Sequence, residues 1–344
     1  MSSRTSKPRK RRAKVQPYYK TELGACYQGL AEEMLTTSLG RKHKGKVQLI
    51  LTSPPFALNH KKKYGNLNGQ AYIDWLVQFA PIWARLLTPD GSIVIEMGNA
   101  WEPGRPVQSI LTYEALLGLV KHPEANLHLC QQFICHNPAR LPSPVQWVNI
   151  ERIRLKDSFT HVWWMATSDK PKADNRRVLR PYSQSMKNLL ERRSYNPGKR
   201  PSGHKVGDES FFVKGEGSIM PSVIEVEPID PRHDPRLPGN VFNIANTQSN
   251  DFYHRECRAQ GILPHPARMP LGLAEFFIQF LTDPGDLVLD PFAGSNTTGF
   301  CAERSGRSWV AIEAKEDYIE QSKLRFLEIG IDLQPRLTVE GGPK

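Results

Sequence analysis

The sequence predicts an α/β fold, an open and mostly parallel sheet with helices on its faces, interrupted by an inserted module. Three observations predict it. Strand-like apolar runs alternate with amphipathic helical stretches over most of the chain. Two short loops far apart in sequence each follow such a run: Thr52-Ser53-Pro54-Pro55-Phe56 after residues 47–51, and Asp290-Pro291-Phe292-Ala293-Gly294-Ser295-Asn296-Thr297-Thr298-Gly299 after residues 287–289. Between residues 168 and 250 the alternation gives way to Pro, Gly, Asn, Arg and Lys. Ligands of open α/β sheets bind outside the carboxyl ends of the strands, so both loops are expected on one rim.

The elements follow in order. Residues 1–14 hold seven Lys or Arg and no acid, the composition of a disordered basic tail. Residues 18–40 carry a helical pattern, with Leu23, Leu30, Met34 and Leu35 facing inward. After the strand at 47–51, residues 72–87 form an amphipathic helix through Tyr72, Trp75, Leu76, Phe79, Ile82, Trp83 and Leu86. Thr88-Pro89-Asp90-Gly91 is a turn, and residues 92–97 are the next buried strand, completing a βαβ unit. A helix at 110–120 and strands at 127–135 and 159–166 finish the first part of the domain, residues 15–167. Residues 251–330 resume the pattern: a helix at 271–281, a turn at Asp283-Pro284-Gly285, a strand at 287–290, a helix at 300–305, a strand at 308–312 and a helix at 315–329. Residues 331–344 are a tail.

The formal charge of +11 is unevenly placed. Residues 170–205 contain eleven Lys or Arg against Asp174 and Glu191, interleaved with Tyr182, Ser183, Gln184, Asn188, Tyr195 and Asn196. Clustered cations beside groups able to hydrogen-bond bases fit a nucleic-acid surface. Arg176, Arg177, Arg180 and Arg200 are candidate contacts, as are Lys61, Lys62 and Lys63 just past the first loop. The five cysteines form no CxxC pair and are odd in number, which points to a reducing compartment, the cytoplasm. No apolar run approaches the length of a membrane span, and none follows the basic N-terminus as in a signal peptide. His122, His128, Cys130, Cys135 and His136 crowd together, but their spacing matches no closed zinc site, so no metal is expected. Cys301 reads as a small core hydrophobe, and His254 and His265 as structural.

The second loop is a strand-to-helix junction with two glycines and small hydroxyl residues. Glycine permits close backbone approach to a ligand, and a helix start offers free N–H groups. About twenty residues on, Glu313 ends the next strand, where a carboxylate can accept from both ribose hydroxyls. The loop lacks the G-x-G-x-x-G order and any Gly-Lys-Ser/Thr. It therefore suits a nucleoside cofactor without phosphates, and S-adenosylmethionine fits.

The first loop is rich in acceptors. Pro54 and Pro55 have no backbone N–H, so the turn displays carbonyl oxygens with no competing donor. Ser53 adds a hydroxyl that can accept. The complement is an exocyclic amine with two N–H donors, and Phe56 offers a face for a base, a stack worth roughly 1–3 kcal/mol. Holding both amine hydrogens favours a more tetrahedral nitrogen aimed at a methyl donor. A paired base is out of reach, so the target has to flip out of the duplex. No strong general base is needed for this, and the segment itself contains none.

These residues resemble the amino-group DNA methyltransferases, whose signatures are an acidic-or-Ser, Pro-Pro, aromatic motif and a DPF-G-S-x-T-T loop. Ser53 and Phe56 are similar to the cytosine-N4 branch, and the order of the two motifs to the permuted β group. The resemblance spans most of residues 18–329. It implies a Rossmann-like S-adenosylmethionine-dependent methyltransferase fold on a permuted, mostly parallel seven-stranded sheet, with residues 168–250 as a DNA-recognition insert. It implies catalytic roles for Ser53, Pro54, Pro55 and Phe56. It implies cofactor contacts for Asp290, Phe292, Gly294, Ser295, Asn296, Thr297 and Glu313, and for Pro266 and Arg268 of the His265-Pro266-Ala267-Arg268-Met269-Pro270 segment. Asn296 departs from the family's usual second glycine. The stretches from His136 through Trp147 and Arg200-Pro201-Ser202-Gly203-His204 look like the PvuII type of modification methylase. That implies a restriction–modification role, a short palindromic site in double-stranded DNA, and Ser202 and His204 among the DNA contacts. Such a site can be methylated one strand at a time, so the oligomeric state stays open, with a monomer favoured. Adenine-N6 methylation on the same scaffold stays open, as does a DNA-binding regulator with a silent site. A nicotinamide dehydrogenase is disfavoured by the missing fingerprint.

Overall fold

The computed structural model describes residues 15–56, 67, 69–137, 140–193, 198–199, 205–206, 212, 215–225 and 251–333. In chain order, β1 (Tyr19–Lys20) and β2 (Gly24–Gln28) precede α1 (Ala31–Thr36) and α2 (Ser38–His43). Next come β3 (Val47–Thr52), α3 (Gln70–Val77), α4 (Phe79–Leu86), β4 (Leu87–Gly98), α5 (Leu111–Val120), β5 (His128–His136) and β6 (Phe159–Ala166). The middle region holds α6 (Gln184–Arg192), a small hairpin of β7 (Gly198–Lys199) and β8 (Lys205–Val206), and β9 (Val223–Glu225). The last part is α7 (Phe252–Ala259), α8 (Leu271–Leu281), β10 (Leu287–Asp290), α9 (Thr297–Arg304), β11 (Ser308–Glu313) and α10 (Glu316–Leu327).

The main sheet has nine strands in the order β1-β2-β11-β10-β3-β4-β6-β5-β9. From β2 to β4 all neighbours are parallel, β6 runs antiparallel between β4 and β5, and β1 and β9 are short edges. The expected seven strands are thus present with two short additions. β3 is buried along its whole length, as a strand covered on both faces must be. Alternation divides its side chains: Leu49 and Leu51 join one core with Phe276, Phe277, Phe300 and Trp309, and Ile50 joins the other with Leu76, Phe79, Trp83 and Trp163.

Three local expectations are corrected. Residues 18–40 open as two strands rather than a helix, because β2 is claimed by β11, a partner far away in sequence. Gly24 permits that approach: a Cβ there would meet the Trp309 indole at 2.2 Å. The helix at 72–87 is two helices, separated at Gln78, with Pro81 lacking an amide to donate in the first turn of α4. The turn at 88–91 is instead the start of β4, where the register against β3 shifts.

The middle region is only partly an insert, since β9 pairs with β5 and so belongs to the main sheet. Among the described residues no helix is long and apolar enough to cross a membrane.

Candidate active site

The chain leaves β3 for β4 on one side and leaves β10 for β11 on the other. β3 and β10 are nonetheless neighbours, so a crevice opens between their carboxyl ends. Both loops end there. They are joined by side chains: Thr52 Oγ1 donates to Asp290 Oδ1 at 2.7 Å, and Thr298 Oγ1 donates to Asp290 Oδ2 at 2.8 Å. The Phe292 amide adds a third bond to Asp290 Oδ1 at 3.0 Å. Burial pushes the Asp290 carboxyl up to about 6, against these three donors, which favour its charged form. Asp290 lines the cavity beside it, but its bonds run to the protein, tying one loop to the other.

The first cavity, about 370 Å³, lies over this junction and is lined by residues of both loops, Ser53, Pro54, Pro55 and Phe56 on one side and Phe292, Gly294, Ser295 and Thr297 on the other. Glu313, at the end of β11, accepts from the Gly294 amide at 2.8 Å and from the Lys315 amide at 2.9 Å. Burial raises its carboxyl above the ordinary value. Each carboxylate oxygen retains a lone pair for a ribose hydroxyl. Gly294 sits at φ +51°, where a Cβ would stand 3.1 Å from the His265 ring. A side chain there would be strained by that backbone angle and crowded by the ring. Phe292 packs against Trp75 (5.3 Å between centroids) and Phe79 (5.4 Å), which fixes the loop from behind. An acid for a ribose, an apolar floor that includes Ile312, and a size within the range of small-molecule sites fit S-adenosyl-L-methionine. Replacing Glu313 with Ala is expected to weaken cofactor binding roughly tenfold or more, since hydrogen bonds to a charged group contribute about 1.5–3 kcal/mol each. Titration calorimetry measures this, and an unchanged affinity would remove Glu313 from the ribose.

Two expected cofactor residues lie elsewhere. Asn296 is fully buried in the left-handed conformation (φ +53°), its Oδ1 accepting from the Gly299 amide at 3.0 Å and its Nδ2 donating to the Tyr19 hydroxyl at 2.8 Å. It caps α9 and does not line the cavity. Pro266 lines a second cavity instead. Arg268 borders both cavities and is held by Asp251 Oδ2 at 3.2 Å. It also donates to His254 Nε2 at 3.1 Å, which leaves the imidazole proton on Nδ1 facing Asp251 Oδ1 at 2.7 Å. Asp251, three residues earlier and the cap of α7, and Arg268 orient His254, for which sequence reasoning found no partner.

The second cavity, about 530 Å³, shares Ser53, Phe56, His265, Ala267 and Arg268 with the first and extends to Glu96, Asn137, Arg140, Phe159 and Thr160. Gly98 lets the Phe56 ring settle on the end of β4, for a Cβ there would come within 2.9 Å of it. Glu96 is the residue that sequence reasoning missed. It is buried on β4, accepts from Thr160 Oγ1 at 3.1 Å and lies beside the Ser53 side chain. Burial pushes its carboxyl up to about 7, while Thr160, Ser53 and the Arg140 charge pull it back. A lone acid inside the apolar run Ile93-Val94-Ile95-Glu96-Met97 was the available signal, because a buried strand does not carry a carboxylate without a partner.

The expected DNA contacts separate. Arg176 chelates Asp174, and Arg177 pairs with Asp283 at 2.6 Å and donates to the Thr282 carbonyl at 2.9 Å. Thr282 and Asp283 precede β10, on the rim opposite the two loops, so Arg177 is corrected to a role in pinning the segment after β6. Arg176 stands beside it. Arg180 is exposed and pairs through its backbone with Ser218. Lys61, Lys62, Lys63, Arg200, Ser202 and His204 lie outside the described residues.

The comparisons agree with this geometry. A DNA methylase family model matches residues 47–324. The Type II methyltransferase M.PvuII of Proteus hauseri is 41% identical over 317 residues, 92% of this chain and 87% of that protein. A solved cytosine-N4-specific PvuII DNA methyltransferase superposes with a TM-score of 0.68 at 35% identity, covering 92% of this chain and 90% of that one. The DNA adenine methyltransferase YhdJ of Escherichia coli (strain K12) is 37% identical over 124 residues, 35% of this chain and 39% of its own. The chain belongs to the family of DNA methylases that act on exocyclic amines.

Proposed function

We propose that this protein methylates the N4 amine of a flipped cytosine in double-stranded DNA, using S-adenosyl-L-methionine, as the modification enzyme of a restriction–modification pair. The observation that carries the reading is the pair of cavities meeting at Ser53 and Phe56. One fits the cofactor and the other fits a base.

When bound, S-adenosyl-L-methionine supplies an electrophilic methyl group on its sulfonium. The protein presents the amine to it. Ser53 lines the second cavity beside Glu96; with its hydroxyl proton turned to that carboxylate, its oxygen accepts one amine N–H. The Pro54 carbonyl accepts the other. Phe56 stacks on the ring. Once the nitrogen had taken the methyl group it would carry positive charge and its protons would become acidic. Ser53 would take one of them while passing its own hydroxyl proton to Glu96, whose charged form the Thr160 and Ser53 hydroxyls support. A short palindromic site, methylated one strand at a time by a monomer, completes the proposal.

The test is mass spectrometry of nucleosides from DNA incubated with methyl-labelled cofactor. Labelled N4-methylcytosine is expected, and labelled N6-methyladenine alone would overturn the assignment. In the same assay Ser53→Ala is expected to lower kcat roughly tenfold or more with cofactor affinity unchanged. Full turnover in that variant would show that the hydroxyl does not hold the amine.

A further inference from the structure

The loop between β5 and β6 stands at the edge of the second cavity. β5 is antiparallel to β6, as β4 is, so β5 ends on the same rim as Ser53 and Glu96. The base cavity is lined by both ends of this loop, Asn137 and Arg140 entering it and Phe159 and Thr160 leaving it. Arg140 Nη1 donates to the Phe159 carbonyl at 3.0 Å and closes the loop at its base. Above that closure the loop carries apolar side chains in water: Leu141 is 81% exposed, Ile150 65% and Leu155 90%.

These side chains stand on an ordered frame. The Trp147 carbonyl accepts from the amides of Ile153 at 2.9 Å and Arg154 at 3.2 Å. The Trp147 ring packs on Trp101 with centroids 5.5 Å apart, and Arg154 Nε donates to the Pro106 carbonyl at 2.9 Å. Single exposed hydrophobic residues are ordinary, but a group of them on a fixed loop marks a contact surface. Exposed Arg152, Arg154 and Lys156 alternate with the apolar residues. The neighbouring acids are engaged within the protein, Glu151 accepting from Gln146 Nε2 at 2.7 Å and Asp157 from Asn99 Nδ2 at 2.8 Å. Cations between apolar side chains, at the mouth of a cavity for a base, fit a DNA duplex: phosphates for the cations and an opened base step for the apolar groups.

We propose that this loop holds the duplex open. Leu141, adjacent to Arg140 at the cavity wall, enters the base stack where the flipped cytosine has left, and Arg152 holds a flanking phosphate. The proposal rests on the second cavity receiving the base.

The test compares two duplexes carrying a site mapped by sequencing DNA that the protein has methylated. In one the target cytosine is paired with guanine, and in the other it faces an abasic position, where extrusion is already easy. Leu141→Ala is expected to lower kcat/KM roughly tenfold on the paired duplex, with the loss nearly gone on the abasic one, and Leu141→Phe is expected to retain activity on both. Equal loss on the two duplexes, or no loss on either, overturns the proposal. Ser53→Ala separates the underlying reading. It is expected to lower turnover on both duplexes, and failure to do so would remove the base from this cavity whatever Leu141 does.

Discussion

Replacing Glu96 with glutamine is expected to lower kcat by about 10²-fold, the lower end of what a positioned proton acceptor contributes, while cofactor affinity stays unchanged. The wild-type kcat should climb as pH rises through about 7 and then level off, because the acceptor is the ionised carboxylate and burial has brought its titration to that region. The glutamine variant should lose this limb. A profile that keeps the same inflection would show that another group sets it. Stability moves the opposite way, and the sign follows from linkage. A carboxyl raised from 4.5 to about 7 in the folded state contributes stability below pH 4.5 that disappears as pH rises through 7. Glutamine cannot ionise. At pH 8 the variant should be more stable than wild type by up to roughly 3 kcal/mol, with no difference at pH 4. Urea unfolding at the two pH values measures this, and a variant less stable at pH 8 would contradict the assigned burial cost. Loss of activity with gain of stability is the signature of a group held in an unfavourable place for its chemistry.

The second large effect is expected at Asp290. Alanine there leaves the Thr52 and Thr298 hydroxyls and the Phe292 amide without their acceptor inside the protein. Leaving a buried donor without its acceptor costs roughly 1–3 kcal/mol, read as a lower urea midpoint at unchanged slope. The two loops lose the side chain that ties them, so cofactor affinity and kcat should fall together. Asparagine keeps the size and one acceptor oxygen, and the Thr298 hydroxyl can turn to accept from its amide, so Asp290→Asn should recover part of both losses. An alanine variant with normal stability and reduced cofactor affinity alone would make Asp290 a ligand group and not a tie.

The loops at Ser53 and Asp290 were legible because their chemistry is local. Two prolines remove donors wherever they fold, and a glycine beside a ring is favoured by its own backbone angle. The strands at 159–166 and 287–290 were legible for a similar reason, being apolar runs of the right length between turn signals. Residues 18–28 were not, since the apolar residues from Leu23 to Leu35 satisfy a helical period and only the pairing of β2 with β11 makes a strand of residues 24–28. The charge in residues 170–205 was counted correctly and placed wrongly at Arg177. A run of cations records an excess, not which of them an Asp283 elsewhere will neutralise. Asn296 shows the same limit: a polar residue in a ligand loop can face the ligand or cap the helix, and composition does not separate the two.

By itself the sequence determined the α/β class, the acceptor-rich loop for an amine, the glycine loop for a nucleoside cofactor, and the family through the order of those motifs. These follow from backbone and side-chain chemistry within a few residues. The tertiary structure alone decided that β3 and β10 are neighbours at a reversal of strand order, that Glu96 stands behind Ser53, and that the loop from Asn137 to Ser158 borders the base cavity. Each of these depends on pairing between distant strands. That pairing is set by the burial of both sheet faces together, a property of the whole chain that no local window contains.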